Sequence, residues 1–305
     1  MVKSFNNPIN FFKGYKPELI LLSISFYWGL TFPLIKLVLN DISPMAFVFS
    51  RFVLTTAIFY IFFRKDLIKV NRTEFKNGLI LGIFLFVGFF TQTIGLKYTT
   101  ASKSAFITGI NIVLLPFVQI FITKSKPNFG NILGVILVVI GLYFLTELQK
   151  TKINTGDLIT LICAVAFAFQ IVYLDKYSKN ANHIVLVYGQ YISMVVLSFL
   201  SMLIFEITIF KDFKFELNLQ SGFITIFTAI FSTLLALYLA MKYQRYVSPV
   251  RAGLIYNMEQ VTAVIAAYFI LTEIMSFSQI TGAVIMTIGL IVSEIFTKFN
   301  YVREG

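Results

Sequence analysis

Charge, cysteine, histidine and tryptophan are all scarce in this 305-residue chain: 13% of residues are charged, and Cys, His and Trp occur once each. One cysteine excludes a disulfide framework, and the place of Cys163 inside an apolar run suits helix packing. The lone His183 falls at a loop between two such runs, where a solvated side chain is expected. Without a Cys/His cluster the chain lacks the ligands of a transition-metal site. It also has no GxxxxGK[ST] loop for ATP phosphates and no GxSxG nucleophile elbow. No metal, no cofactor and no catalytic residue is therefore expected, and any pumping must be secondary.

What is abundant is apolar: 58% of residues are hydrophobic, with 35 Phe and 15 Tyr. A membrane-spanning helix takes about 20 mostly apolar residues, so ten spans would leave only short loops and no room for a soluble catalytic domain. Apolar runs bounded by Pro, Gly, Lys and Asn predict helices at 18–39, 44–63, 75–97, 101–123, 129–146, 156–177, 184–206, 221–243, 248–271 and 278–297. Ser43-Pro44 and Ser248-Pro249 each predict a helix start, with a capping hydroxyl ahead of a proline whose missing N–H costs nothing there. The residues before Glu18 contain no apolar stretch with a cleavage site, so the first span is expected to be retained.

The net charge of +11 is spread in short clusters between apolar runs, which argues for topology signals and against a nucleic-acid partner. Alternate loops collect Lys3, Lys13, Lys16, Arg64, Lys65, Lys69, Arg72, Lys76, Lys124, Lys126, Lys176, Lys179, Lys242, Arg245, Lys298 and Arg303 on one side. The other side holds only Lys97, Lys103, Lys150, Lys152, Lys211 and Lys214. Because basic loops stay in the cytoplasm, both termini are expected inside, in the cell membrane.

An internal repeat organises the chain. The offset from Tyr98 to Tyr246 also carries Lys103 to Arg251, Ile107 to Ile255, Val113 to Val261, Gly134 to Gly282 and Ile140-Gly141-Leu142 to Ile288-Gly289-Leu290, without a gap. A slightly smaller offset, from Ile20 to Ile159, aligns the earlier spans and pairs Val48 with Val187, Trp28 with Phe167 and Arg51 with Gln190. The difference is absorbed between Glu206 and Leu219. Each copy holds five spans, an odd number, so the second enters the bilayer inverted relative to the first. The expected architecture is an all-α membrane protein of ten helices in two inverted five-helix repeats: a cytoplasmic segment 1–17, repeats 18–146 and 156–297, a connecting loop 147–155 and a cytoplasmic tail 298–305.

Trp28 to Lys36, followed by Pro44 and Arg51-Phe52, resembles the first two helices of the drug/metabolite transporter superfamily in its EamA-like branch. The similarity continues through Ala105-Phe106-Ile107-Thr108-Gly109, Pro116, and Gly134 to Gly141. Glu259 and Glu273 stand at the separation the family shows for a Glu-Pro and a Gly-Glu pair, but Gln260 replaces the proline and Thr272 the glycine. The resemblance spans about Ile20 to Glu294 and implies a ten-helix transporter, in many family members an exporter of amino acids and other metabolites.

Polar residues at membrane depth mark the candidate site. Glu259 falls near the middle of the ninth span, where an ionised group costs at least about 2.5 kcal/mol and must face a cavity, a partner or a proton. Solute contact or proton coupling is the functional reading, and an interhelical hydrogen bond the structural one. Its repeat mate, Asn111, is also polar. Tyr256 shares the face of Glu259; solute contact and packing stay open for it, as cavity lining and packing do for Trp28. Arg51 could meet Glu259 or a solute carboxylate, or snorkel outward. Lys36 is expected to snorkel. Thr31, Gln92, Gln170 and Tyr173 complete the expected cavity lining. Lys103 and Arg251, at equivalent positions near opposite faces, are either matching gates or snorkelled helix ends. Gly78 with Gly82, and the Gly134/Gly141 and Gly282/Gly289 pairs, predict close helix contact.

The expected function is alternating-access transport of a small solute, with proton coupling, the lipid bilayer and a second copy of the chain as partners. The rival classes are a membrane-embedded lipid-modifying enzyme and a lipid-linked sugar flippase.

Overall fold

The computed structural model describes residues 15–68, 70–146, 153–272 and 274–304. The rest of the segment before residue 15, residues 147–152 of the connecting loop, and Lys69 and Glu273 lie outside the described residues. Ten helical spans follow one another. These are α1 (Lys16–Val38), α2 (Pro44–Phe63), α3 (Arg72–Tyr98), α4 in two pieces (Ala101–Gly109 and Asn111–Thr123) and α5 (Phe129–Thr146). The second half continues with α6 (Thr155–Ser178), α7 (His183–Ser201, extended by a π-helical turn Met202–Ile209) and α8 (Leu219–Phe227, a π segment Thr228–Leu235, then Ala236–Tyr243). It ends with α9 (Pro249–Tyr256 and Met258–Leu271) and α10 (Phe277–Glu304). Among the described residues nine helices are long and apolar enough to cross a bilayer, and the apolar helix Phe129–Leu145 is the shorter tenth.

Helix starts follow local side-chain chemistry. Asn71 accepts from the Thr73 and Glu74 amides to open α3, and Asn154 with Asp157, then Asn218 with Ser221, form reciprocal capping boxes at α6 and α8. The two Ser-Pro starts depart from expectation, since neither Ser43 nor Ser248 caps its helix through its side chain. The orphan amides are satisfied from other helices instead. Glu206 accepts from Met45 N at 2.6 Å, Ala46 N at 3.1 Å and the Ser43 hydroxyl at 2.7 Å, while Gln119 accepts from Val250 N at 3.1 Å. A carboxylate at a helix N-terminus makes charge-assisted bonds that a serine hydroxyl cannot match, and it lets Ser43 turn to donate to it.

Two apolar cores form. One joins the later part of α1 with α2, α3 and α7; the other joins the start of α1 with α4, α5, α6 and α9. Trp28 packs against both. The glycines sit where backbones meet. Gly78 and Gly82 face Leu186, Gly189 and Ser193 of α7, and a Cβ on Gly134 or Gly141 would come within 2.9 or 2.7 Å of the Gly289 or Gly282 carbonyl oxygen of α10. His183 is not in a loop but is the first residue of α7, half-buried with its ring 5.4 Å from that of Tyr238.

Candidate functional site

Between the two cores lies a cavity of about 630 Å³ of empty space, open solvent at its mouth included. Its walls come from α1, α2, α3, α4, α6, α8 and α9, and its lining follows the repeat. Trp28 and Phe167, Thr31 and Gln170, Phe32 and Ile171, Phe89 and Leu237, and Asn111 and Glu259 are mates under the two sequence offsets, and all ten line it. The cavity therefore sits on the pseudo-twofold axis relating the halves. Arg51, Leu85, Gln92, Tyr256 and Asn257 also line it, without lining mates.

Of the residues expected there, Trp28, Thr31, Arg51, Gln92, Asn111, Gln170, Tyr256 and Glu259 meet in this cavity. Tyr173 does not. It stacks on Phe84 at 5.2 Å and leans on Tyr177 at 5.5 Å, because helical rotation carries it off the face of Gln170 and into the α3–α6 contact. Gln190 is buried elsewhere, with neither amide atom hydrogen-bonded.

Arg51 is 1% exposed; its Nε donates to the Thr233 hydroxyl and its guanidinium lies 5.0 Å from the Phe89 ring centroid. The acceptor belongs to the π segment of α8, whose Thr233 and Leu234 carbonyls also accept from the Tyr191 hydroxyl. Widened helical turns of this kind concentrate at working sites, and here one turns a hydroxyl toward the buried cation. No ion pair joins Arg51 to Glu259 among the described residues. The cavity thus presents a cation on α2 and a carboxylate on α9, each left available.

Trp28 donates to the Ser232 carbonyl of the same π segment at 3.0 Å and packs at 5.1 Å on Tyr256, whose hydroxyl donates to Gln244 at 3.0 Å. Gly29 lets α1 approach α9 beside Glu259, since a Cβ there would lie 2.5 Å from the Glu259 carbonyl oxygen. Gln92 donates to the Thr108 hydroxyl at 3.1 Å.

α4 and α9 both break at cavity level, at Ile110 and Asn257. The sequence offers no proline at either break. In α9 the Asn257 side chain donates to the Gly253 carbonyl at 3.0 Å, competing with the backbone ladder, and to Asn111 Oδ1 at 3.1 Å across the gap. The Glu273 position lies outside the described residues.

Lys103 and Arg251 are neither snorkelled nor free. Lys103 Nζ lies 2.5 Å from Asp157 Oδ2, and both side chains are buried. Asp157 also accepts from the Thr99 hydroxyl at 2.8 Å and the Asn154 amide at 2.8 Å. Arg251 reaches Glu18 at 2.9 Å and grips Glu294 with Nε at 2.6 Å and with Nη2. Glu18 and Asp157 are themselves repeat mates, a match that the Ile20 to Ile159 offset already contains. Each cluster joins one half to the other, α4 to α6 at one face and α9 to α1 at the opposite face. Lys36 also differs from expectation, donating to the Leu96 and Thr99 carbonyls at 2.7 Å and so capping the end of α3.

The profile of the EamA-like transporter family matches residues 16–147 and 154–294, once per half. An "uncharacterized transporter" of Archaeoglobus fulgidus is 32% identical over 275 residues, covering 90% of this chain and 84% of its own. The "uncharacterized transporter YyaM" of Bacillus subtilis is 25% identical over 290 residues, covering 90% of this chain and 92% of its own. One crystal structure superposes with a TM-score of 0.76 over 92% of this chain and 99% of its own; at 14% identity it bears on the fold alone.

Proposed function

The chain belongs to the EamA-like transporter family of the drug/metabolite transporter superfamily, and from that premise we propose a secondary active exporter of small zwitterionic or amphipathic metabolites, amino acids among them, across the cytoplasmic membrane. The observation that carries the substrate class is the unpaired arrangement of Arg51 and Glu259 in one cavity. A guanidinium fork suits a solute carboxylate, Glu259 suits an ammonium group, and Trp28, Phe89, Phe167 and Tyr256 suit an apolar body between them. Neither charge is neutralised by the other, so a solute with both signs restores balance at a depth where net charge is costly.

The mechanism is alternating access. Opening the cavity toward either face must separate the halves there, and each face carries one interhalf cluster: Lys103–Asp157 at one, Arg251 with Glu18 and Glu294 at the other. The basic face, which carries the start of α1, is the cytoplasmic one in this scheme. Glu259 is the residue through which protons would couple to solute movement.

Reconstitution in sealed vesicles tests this reading. Labelled amino acids should move with no other protein added, and Arg51→Gln and Glu259→Gln should each slow transport at least about tenfold, as expected when a charged hydrogen bond to solute is lost. Conversion of the solute in detergent would instead point to an enzyme. Unchanged rate and pH dependence in Glu259→Gln would remove its coupling role.

A further inference from the structure

Two amide oxygens at the crossing of α4 and α9 have no donor. Asn257 Oδ1 and Gln260 Oε1 are fully buried, in residues each 1% exposed, and no protein group donates to either. Their orientation is forced. Asn257 Nδ2 faces the Gly253 carbonyl and Gln260 Nε2 faces the Ala105 carbonyl at 3.2 Å; both partners can only accept, so flipping either amide would set oxygen against oxygen. Both amides lie against Gly109, where a Cβ would meet Asn257 Oδ1 at 2.9 Å and Gln260 Cδ at 3.1 Å. The Glu259 carboxylate adjoins them, accepting from Gln260 Nε2 at 3.1 Å, and no ion pair neutralises it among the described residues.

Such a cluster is rich in oxygen acceptors, poor in donors, and carries one negative charge. Leaving two buried carbonyl oxygens and a carboxylate without positive partners is unfavourable on each count. Hard oxygen ligands with a single carboxylate fit a small monovalent cation, because a divalent ion would leave excess charge. We propose that this crossing binds Na⁺ through Asn257 Oδ1, Gln260 Oε1 and the Glu259 carboxylate, beside the solute cavity.

The site stands without the transport reading, but one consequence rests on it. A solute ammonium, the coupling proton and Na⁺ share one carboxylate and occupy it in turn, so Na⁺ competes with both.

The test uses the purified full chain in detergent, with ²²Na⁺ binding and thermal unfolding in NaCl against choline chloride at equal ionic strength. Saturable ²²Na⁺ binding displaced by unlabelled Na⁺, with unfolding temperature rising as Na⁺ increases, is the expected result. Gln260→Leu and Asn257→Ala should each weaken binding at least about tenfold, the loss typical when a metal site is disturbed. Indifference of the wild type to Na⁺ would show that the oxygens hold water only, and would overturn the site even if solute transport is observed. Undiminished Na⁺ affinity in both folded variants would place the ion elsewhere and overturn it equally. Should neither variant fold, the wild-type response to Na⁺ over choline decides alone.

Discussion

The interhalf cluster at Lys103 and the one at Arg251 occupy equivalent places in the repeat, yet they are built to different strengths. At Lys103 one carboxylate, Asp157, serves the lysine while also closing the α6 capping box and accepting from Thr99. At Arg251 two carboxylates from two helices, Glu18 of α1 and Glu294 of α10, share one guanidinium. The extra acid arises because the offset that takes Lys103 to Arg251 takes Thr146 to Glu294. The repeat supplies the common plan, and the residues at its equivalent positions weight one face against the other. A planar fork can hold two carboxylates, whereas a lysine ammonium acts as a point charge, so the Lys-to-Arg difference and the added glutamate belong together.

Breaking each cluster sharpens that comparison. Arg251→Met should cost the most, about 3 kcal/mol, because it leaves two partly buried carboxylates facing each other without a cation; unfolding in detergent measures it. Lys103→Met should cost less, about 1–3 kcal/mol, since Asp157 keeps the Thr99 hydroxyl and the Asn154 amide. A reversal of that order would refute the claimed weighting.

Access to the cavity gives a smaller but more specific effect. With Thr31→Cys as a reporter in a Cys163→Ala background, Asp157→Asn should raise labelling from the Lys103 face about tenfold, equivalent to about 1.4 kcal/mol in the opening equilibrium. Glu18→Gln should raise labelling from the other face by a similar factor, because Glu18 is the acid that cluster draws from the first half, whereas Glu294 shares the second half with Arg251. No increase there would mean that the Arg251–Glu18 contact does not hold that face closed. Glu294→Gln should have the smallest effect, about 1 kcal/mol or less in thermal unfolding, since Glu18 remains and the pair is partly solvated.

Much of this was legible in the sequence because the repeat preserves register. The same offsets that aligned glycines and aromatics also align the mates lining the cavity, so polar residues at matching depth pointed to one place. Glu18 and Asp157 were equally available to that reasoning, but they sit at helix starts, where acids are ordinary, and only their cations reveal their role. Tyr173 falls outside the lining because polarity at membrane depth does not say which side of α6 a residue faces, and here α3 supplies Phe84 as its partner. The breaks at Ile110 and Asn257 left no mark in the apolar pattern, for neither rests on a proline, and the one at Asn257 goes with a side-chain bond to backbone. The caps supplied by Glu206 and Gln119 were illegible for a related reason: each comes from another helix, at a distance in sequence that no local rule reaches.

The contact between α5 and α10 differs in kind from those around the cavity. Where Gly134 lies under the Gly289 carbonyl and Gly141 under that of Gly282, main chain rests on main chain, with no rotamer between them to absorb a displacement. The closing helices of the two copies should therefore travel together as one stiff rod. Reporter pairs spanning that rod would keep their separation through the whole transport cycle, giving a built-in ruler against which every other movement in the protein can be measured.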